Sequence, residues 1–353
     1  MRFDHRTLPQ RVRFGTGSVA EALAAEIVDR EARSVMVIAS GREMPTARRA
    51  CGAFEVALWW DEVTVHVPLE LAERARTASR DGHIDLVIAL GGGSAIGLAK
   101  AIALTERLPI VAVPTTYAGS EATTVWGLTS EGRKTTGSDD VVLPSTVVYD
   151  SELVTSLPAE LAVASAMNAA AHCVDSMWAP RTDPLVQALA EEGLRSLGSG
   201  LSAFRDDPDG ITAREELQFG AYVSGVAFSA AGSGLHHKIC HVLGGAYDLP
   251  HAPLHTAVLP HVLAFNAPAA PQAEARIARA LGSDSAVHGL RRLYSILPVT
   301  PSLAALGFTR DDIPRGVELI LPVVPDSNPR PVTADDLTDL LTAAWEGQPA
   351  EGR

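Results

Sequence analysis

The strongest constraint on how this chain can fold is a change of texture at Pro158. Before it, short β-branched apolar runs alternate with helical segments. Residues 34–39 (SVMVIA), 84–90 (IDLVIAL) and 110–113 (IVAV) are continuous apolar runs, and residues 147–149 close the series. Strands that are apolar at every position bury both faces, as in a parallel sheet covered by crossover helices. Residues 18–32, 70–80 and 94–105 have the polar starts and amphipathic spacing of those helices. After Pro158 the strand-like runs vanish, and the alanine- and leucine-rich stretches 159–178, 184–204 and 213–231 read as helices. At 353 residues the chain is long for one core. The expectation is an α/β domain over 1–157, an all-helical domain over 158–346, and a tail of disordered composition at 347–353.

Two loops at the carboxyl ends of the strands carry the first chemical signal. Gly91-Gly92-Gly93-Ser94 leads straight from a strand into a helix. Glycines allow close backbone approach to a pyrophosphate, and the amides of a helix start, with the Ser94 hydroxyl, bind anionic oxygens. The spacing departs from G-x-G-x-x-G because Ile96 stands at the last glycine, and the loop follows a middle strand. A variant dinucleotide-binding fold is the reading. The next strand ends in a hydroxyl-rich loop, where Thr115, Thr116 and Ser120 can donate to phosphate or ribose; turn and cap chemistry would use the same residues.

The second signal is histidine density. Of the chain's 11 histidines, six fall between Gly234 and His261. Imidazoles move protons near neutrality and ligate metals when neutral, so their convergence marks a site, although any one of them alone is more often a packed structural residue. His237 and His241 lie one helical turn apart on one face, and His251 follows a Gly-Gly break and a proline, placed to swing back from a loop or a second helix start. His255, His261 and the neighbouring Cys240 read as structural. The net charge of -13 argues against nucleic acid and anionic membranes as partners. A charged start without an apolar core, no membrane-length apolar run, and three scattered cysteines (Cys51, Cys173, Cys240) fit a cytoplasmic protein with reduced thiols.

The motifs GGGSAIGLAKAIAL, VPTTYAGSEAT, RKTTG with VVLPSTVVYD, MNAAAHCVD, HHKICHVLGGAYDLPHAPLHTAVLPH, and NPRPVT with AAWEG together resemble the iron-type (group III) alcohol dehydrogenase superfamily, and within it the maleylacetate reductases. The resemblance runs in order over nearly the whole chain. It implies a dinucleotide domain followed by the helical catalytic domain shared with dehydroquinate synthase, a nicotinamide cofactor, a small anionic dicarboxylate as substrate, and a homodimer. Superfamily metal sites use an aspartate, a histidine four residues later, and two histidines fourteen residues apart; the matching positions here are Asn168, His172, His237 and His251. An amide replaces the aspartate. A neutral amide is a poor ligand for a divalent transition metal, so no metal is expected.

Without a Lewis acid, reduction of an activated carbon-carbon double bond is the chemistry that fits, because the charge resides in an enolate that hydrogen bonds can hold. The resemblance implies hydride transfer from NADH or NADPH to maleylacetate, giving 3-oxoadipate, with His241 nearest the nicotinamide and His172, His237, His251 and Asn168 around the substrate. Lys134 and Lys238 are candidates for added positive charge. After the first apolar strand stand Ser40, Gly41 and Arg42, with no acidic residue among them, which tolerates NADPH and leans toward it. Pro253-Leu254 stands where maleylacetate reductases are expected to carry a more polar, Glu-Thr-like pair, implying a more apolar pocket wall and a relative of maleylacetate as substrate. The alternatives are a metal-dependent dehydrogenase of small alcohols and a nucleotide-binding scaffold with a non-redox role.

Overall fold

The structure, a computed structural model, describes residues 2–130, 133–295 and 302–347; the tail expected over 347–353 lies outside them apart from Gly347, as does the Lys134 side chain. Two compact units are present, Leu8–Leu157 and Pro158–Arg353, the latter together with Met1–Thr7. The first residues therefore belong with the helical unit and not with the α/β one. His5 Nδ1 lies 2.7 Å from Asp183 Oδ2, which secures that segment.

In chain order the α/β unit runs β1 (Arg11–Phe14), α1 (Val19–Asp29), β2 (Val35–Ile38), α2 (Met44–Ala50), β3 (Leu58–Trp60), α3 (Leu69–Asp81), β4 (Leu86–Gly91), α4 (Gly93–Glu106), β5 (Ile110–Pro114), β6 (Val125–Ser130), β7 (Arg133–Ser138) and β8 (Thr146–Tyr149). Six strands form a parallel sheet in the order β1-β8-β5-β4-β2-β3, and β6 pairs with β7 as an antiparallel hairpin. Why the runs are continuously apolar is plain from the pleat. Val35, Val37, Leu86, Ile88 and Val111 pack with Leu23, Ala47 and Ala50 of α1 and α2. Their neighbours Met36, Ile38, Val87 and Ala112 pack on the opposite face with Leu71, Ala75, Ile96 and Ala99 of α3 and α4.

The helical unit comprises α5 (Ala159–Ser176), α6 (Pro184–Asp206), α7 (Ile211–Ala231), α8 (Leu235–Tyr247), α9 (His251–Asn266), α10 (Pro271–Ala280), α11 (Ala286–Ser295), α12 (Ile313–Ile320) and α13 (Ala334–Glu346). Helix α5 is buried at every residue from Ala162 to Ser176, which explains its alanine content: it is a central helix with no solvent face. Leu235, Ile239, Leu243, Leu254, Val258, Val317 and Leu341 join α8, α9, α12 and α13 in one apolar cluster.

Edge strand β1 is fastened by a buried carboxylate. Glu26 of α1, 1% exposed, accepts from Arg13 Nε at 2.7 Å, Arg30 Nε at 3.0 Å and Thr146 Oγ1 of β8 at 2.7 Å. Burial alone would raise its pKa, but the hydrogen bonds from Thr146, Arg13 and Arg30 outweigh burial and bring it from 4.5 down to about 2. A carboxyl depressed in the folded state stabilises above its unfolded value. That stability is present above pH 4.5 and is lost as the pH falls toward 2. Glu26→Gln is therefore expected to cost about 2 kcal/mol near neutrality. The loss should shrink across that acid window, as read by urea unfolding at several pH values; a deficit independent of pH would contradict the assignment.

Candidate active site

The helical unit gathers its histidines around one buried carboxylate. Asp175, on the last turn of α5, is fully buried and accepts from the amides of Gly234 at 2.8 Å, His236 at 3.2 Å and His237 at 3.4 Å. It thus satisfies the amides at the start of α8 from a neighbouring helix. A Cβ on Gly234 would lie 2.4 Å from Asp175 Oδ1, so only glycine admits this approach. Asp175 Oδ2 also lies 2.8 Å from His237 Nδ1. A carboxylate can only accept, so His237 carries its proton on Nδ1 and presents Nε2 as a lone pair.

Rings stack outward from this anchor. His172 of α5 stacks on His237 with centroids 5.0 Å apart, and Phe228 of α7 covers both at 4.7 and 4.2 Å. His241 stands 5.9 Å beyond His237 along α8. His251, first residue of α9, reaches the group through His255, 4.4 Å from it and 4.9 Å from His237. Asn168 precedes His172 by one turn of α5. Five buried atoms of this group lack a hydrogen-bond partner: Asn168 Oδ1, His172 Nδ1, His236 Nδ1, His237 Nε2 and His255 Nε2.

Burial divides these groups into two layers. His172 is lowered to about 4 by burial, with a smaller opposing effect of Asp175, and burial drives His236, His237 and His255 well below the usual imidazole value. Asp175 is itself raised by burial, against the pull of His236 and the three amides. The inner imidazoles are therefore neutral near pH 7. His241 and His251 are solvent-exposed and can exchange protons with water.

The structure brings together Asn168, His172, His237, His241 and His251 as the sequence led one to expect. It adds Asp175, His236, His255 and Phe228. Asp175 sits in the motif MNAAAHCVD, three residues after His172, but nothing in that motif shows that it caps another helix; Phe228 left no sequence signal. His236 Nε2 bonds His255 Nδ1 at 2.9 Å, which gives His255 the structural role read for it. Leu254 is fully buried in the apolar cluster with residues of α8 and α12, while Pro253 beside it is partly exposed.

In the α/β unit, Gly91 ends β4 with φ 157°, and Gly92 caps α4 without any side-chain hydrogen bond. A Cβ at Gly92 would meet Thr116 Cγ2 at 2.9 Å, so the two loops touch. Ser94 lies in the first turn of α4, Thr115 donates its amide to Gly91 O at 3.1 Å, and Ser40 lies two residues past the end of β2. Ser120 is held from behind by Lys100 of α4. The buried Lys100 Nζ donates to Ser120 O at 2.6 Å, Thr123 O at 2.7 Å and Val125 O at 2.9 Å, and burial lowers it to about 7 against the opposing charge of Glu121. Lys134 pairs with Thr129 across the β6–β7 hairpin. Glycines, free helix start and hydroxyls at the carboxyl edge of a parallel sheet suit a pyrophosphate.

The family model for iron-containing alcohol dehydrogenases matches residues 9–151, and that for the C-terminal part of the same family matches residues 162–345. The chain belongs to the iron-containing alcohol dehydrogenase family. It is an oxidoreductase of that family, and its relatives include a maleylacetate reductase of Sphingobium indicum, 41% identical over 99% of each chain. A solved iron-containing alcohol dehydrogenase of Corynebacterium glutamicum superposes with TM-score 0.96 at 53% identity, covering 100% of this chain and 98% of that one. A solved maleylacetate reductase of Agrobacterium tumefaciens gives TM-score 0.94 at 37% identity over 99% of each chain.

The family name implies iron, and the donors present do not match that ion. Asn168 offers a neutral carbonyl where a carboxylate would offset the charge. Among the described residues, the His, Cys or carboxylate group whose donor atoms all approach within 4.8 Å is His236, Cys240 and His255, a different set from His172, His237 and His251. In that set the nitrogens of His236 and His255 are already bonded to each other.

Asp175→Asn presents an amide to His237 Nδ1 and shifts the ring proton to Nε2. NADH-linked turnover is expected to fall roughly 10- to 100-fold. The imidazole ¹⁵N shifts of His237 should report the exchanged tautomer; unchanged shifts with full turnover would remove Asp175 from this role.

Proposed function

We propose that this enzyme reduces the activated carbon-carbon double bond of maleylacetate, or of a close dicarboxylate analogue, with NADH or NADPH and without a bound metal. The α/β loops hold the dinucleotide and the histidine group holds the substrate. Bound NAD(P)H supplies the hydride to the alkene carbon β to the ketone. The remaining requirements, holding the ketone oxygen as negative charge develops and protonating the enolate carbon, fall to this chain's side chains.

The observation that carries the assignment is the two-layer histidine arrangement. His237, with its Nδ1 proton committed to Asp175, presents a lone pair and cannot donate to a developing oxyanion. The donor must be another side chain, and a neutral imidazole, which has one N–H to donate, suffices. Exposed His241, one turn from His237, is that ring, and His251 is the second. His172, Asn168 and His237 provide a buried, uncharged floor; with no carboxylate at position 168, nothing there repels a dianion. Its maleylacetate reductase relatives at 38–44% identity over almost the full chain support the reading over an alcohol dehydrogenase or a non-redox scaffold. No described helix is long and apolar enough to cross a membrane.

The test is oxidation of NADH and NADPH by chelator-treated protein with freshly generated maleylacetate and no added metal. Turnover is expected to survive chelation, and His241→Gln is expected to lower kcat by about 100-fold. Activity that appears only on adding iron or zinc would instead establish a metal-dependent enzyme.

A further inference from the structure

Glu43 lies just past β2, three residues after Ser40, and its carboxylate reaches back over the glycine loop. Oε2 accepts from Ser40 Oγ at 2.8 Å, and Oε1 accepts from Thr115 Oγ1 at 2.5 Å. A Cβ on Gly91 would lie 2.9 Å from Glu43 Oε2, so carboxylate and loop are in direct contact. The carboxyl ends of three adjacent strands, β2, β4 and β5, thus converge on a single negative charge.

We infer that Glu43 sets the cofactor preference, selecting the dinucleotide with a free ribose 2′-hydroxyl, NADH, over its 2′-phosphorylated counterpart. The inference rests on the α/β unit being the dinucleotide site and adds which dinucleotide it takes. Ser40 and Thr115 spend their protons on Glu43, so they turn lone pairs outward, and a phosphate needs donors. A ribose diol has protons to give, and a carboxylate accepts them; a 2′-phosphate beside the same carboxylate is a like-charge contact. Arg42, the cation that the order Ser40-Gly41-Arg42 offers to a phosphate, is engaged elsewhere: its Nη2 donates to Ser156 O at 2.8 Å. The lean toward NADPH read from those three residues left out Glu43, one position further on, which only the fold returns to the sheet edge.

Two measurements on the full-length protein test this. Dissociation constants for NADH and NADPH are read by nicotinamide fluorescence, and initial rates are taken with each cofactor and maleylacetate. NADH is expected to bind at least about tenfold more tightly, with Glu43→Gln moving the ratio toward NADPH by a similar factor through the cofactor KM. Because Glu43 also braces Ser40 and Thr115, competition by 5′-AMP against adenosine 2′,5′-bisphosphate on the unaltered enzyme gives an answer that needs no variant; 5′-AMP should compete better. Equal or tighter binding of NADPH, stronger competition by the bisphosphate, or an unchanged ratio in Glu43→Gln would overturn the role of Glu43 and leave the reductase reading standing. Failure of both dinucleotides to bind would bring down the dinucleotide site and this inference with it.

Discussion

The chemistry of the helical unit depends on one buried carboxylate. Asp175 takes the amides at the start of α8 and the Nδ1 proton of His237. A carboxylate without water is costly, and four donors are what make its burial tolerable. In exchange the start of α8 is fixed against the end of α5, and with it the register that sets His237 on His172 and places His241 one turn further out. The proton positions in the ring group follow from that contact. Were the tautomer of His237 undetermined, the division between a ring that accepts and rings that donate would be undetermined too.

The α/β unit solves an analogous problem with a cation. Lys100 sits on the helix that the glycine loop starts, and its ammonium gathers Ser120, Thr123 and Val125 through their carbonyls. The start of α4 follows the glycine loop, while Lys100 further along it holds the facing loop in place. Glu121, buried beside it, takes the Tyr149 hydroxyl at 2.5 Å and ties that loop to β8. Buried ionisable groups in both units thus orient loops and rings whose own sequences would leave them loose.

What the sequence disclosed and what it withheld divide along the same physical line. Periodicity is a property of a segment, so the apolar runs that became β2, β4, β5 and β8 and the long helices α5, α6 and α7 were legible to within a few residues. Strands β1 and β3 were missed, being short and only partly buried, and the β6–β7 hairpin, rich in Thr, Gly and charge, gives no alternation to read. The histidines were legible because density is visible in one dimension. Asp175 and Glu43 were not, since each acts on residues that neighbour it only in space: Gly234 and His237 for one, Thr115 and Gly91 for the other.

Replacing a carboxylate with Asn168 changes more than the affinity for a cation. A family metal site balances a divalent charge with an aspartate among histidines, and removing only the metal would leave an uncompensated buried anion. With an amide at position 168, the imidazoles of His172 and His237, held neutral by burial, share the ring group with a neutral side chain, and Asp175 is its buried carboxylate. Asp175 cannot take over the missing ligand role, because its oxygens are committed to three amides and an imidazole. The buried layer itself carries no positive charge, because its imidazoles are held neutral by burial. His241 and His251 stand at its edge, so the ring group passes from buried to exposed within one turn of α8 and at the first residue of α9.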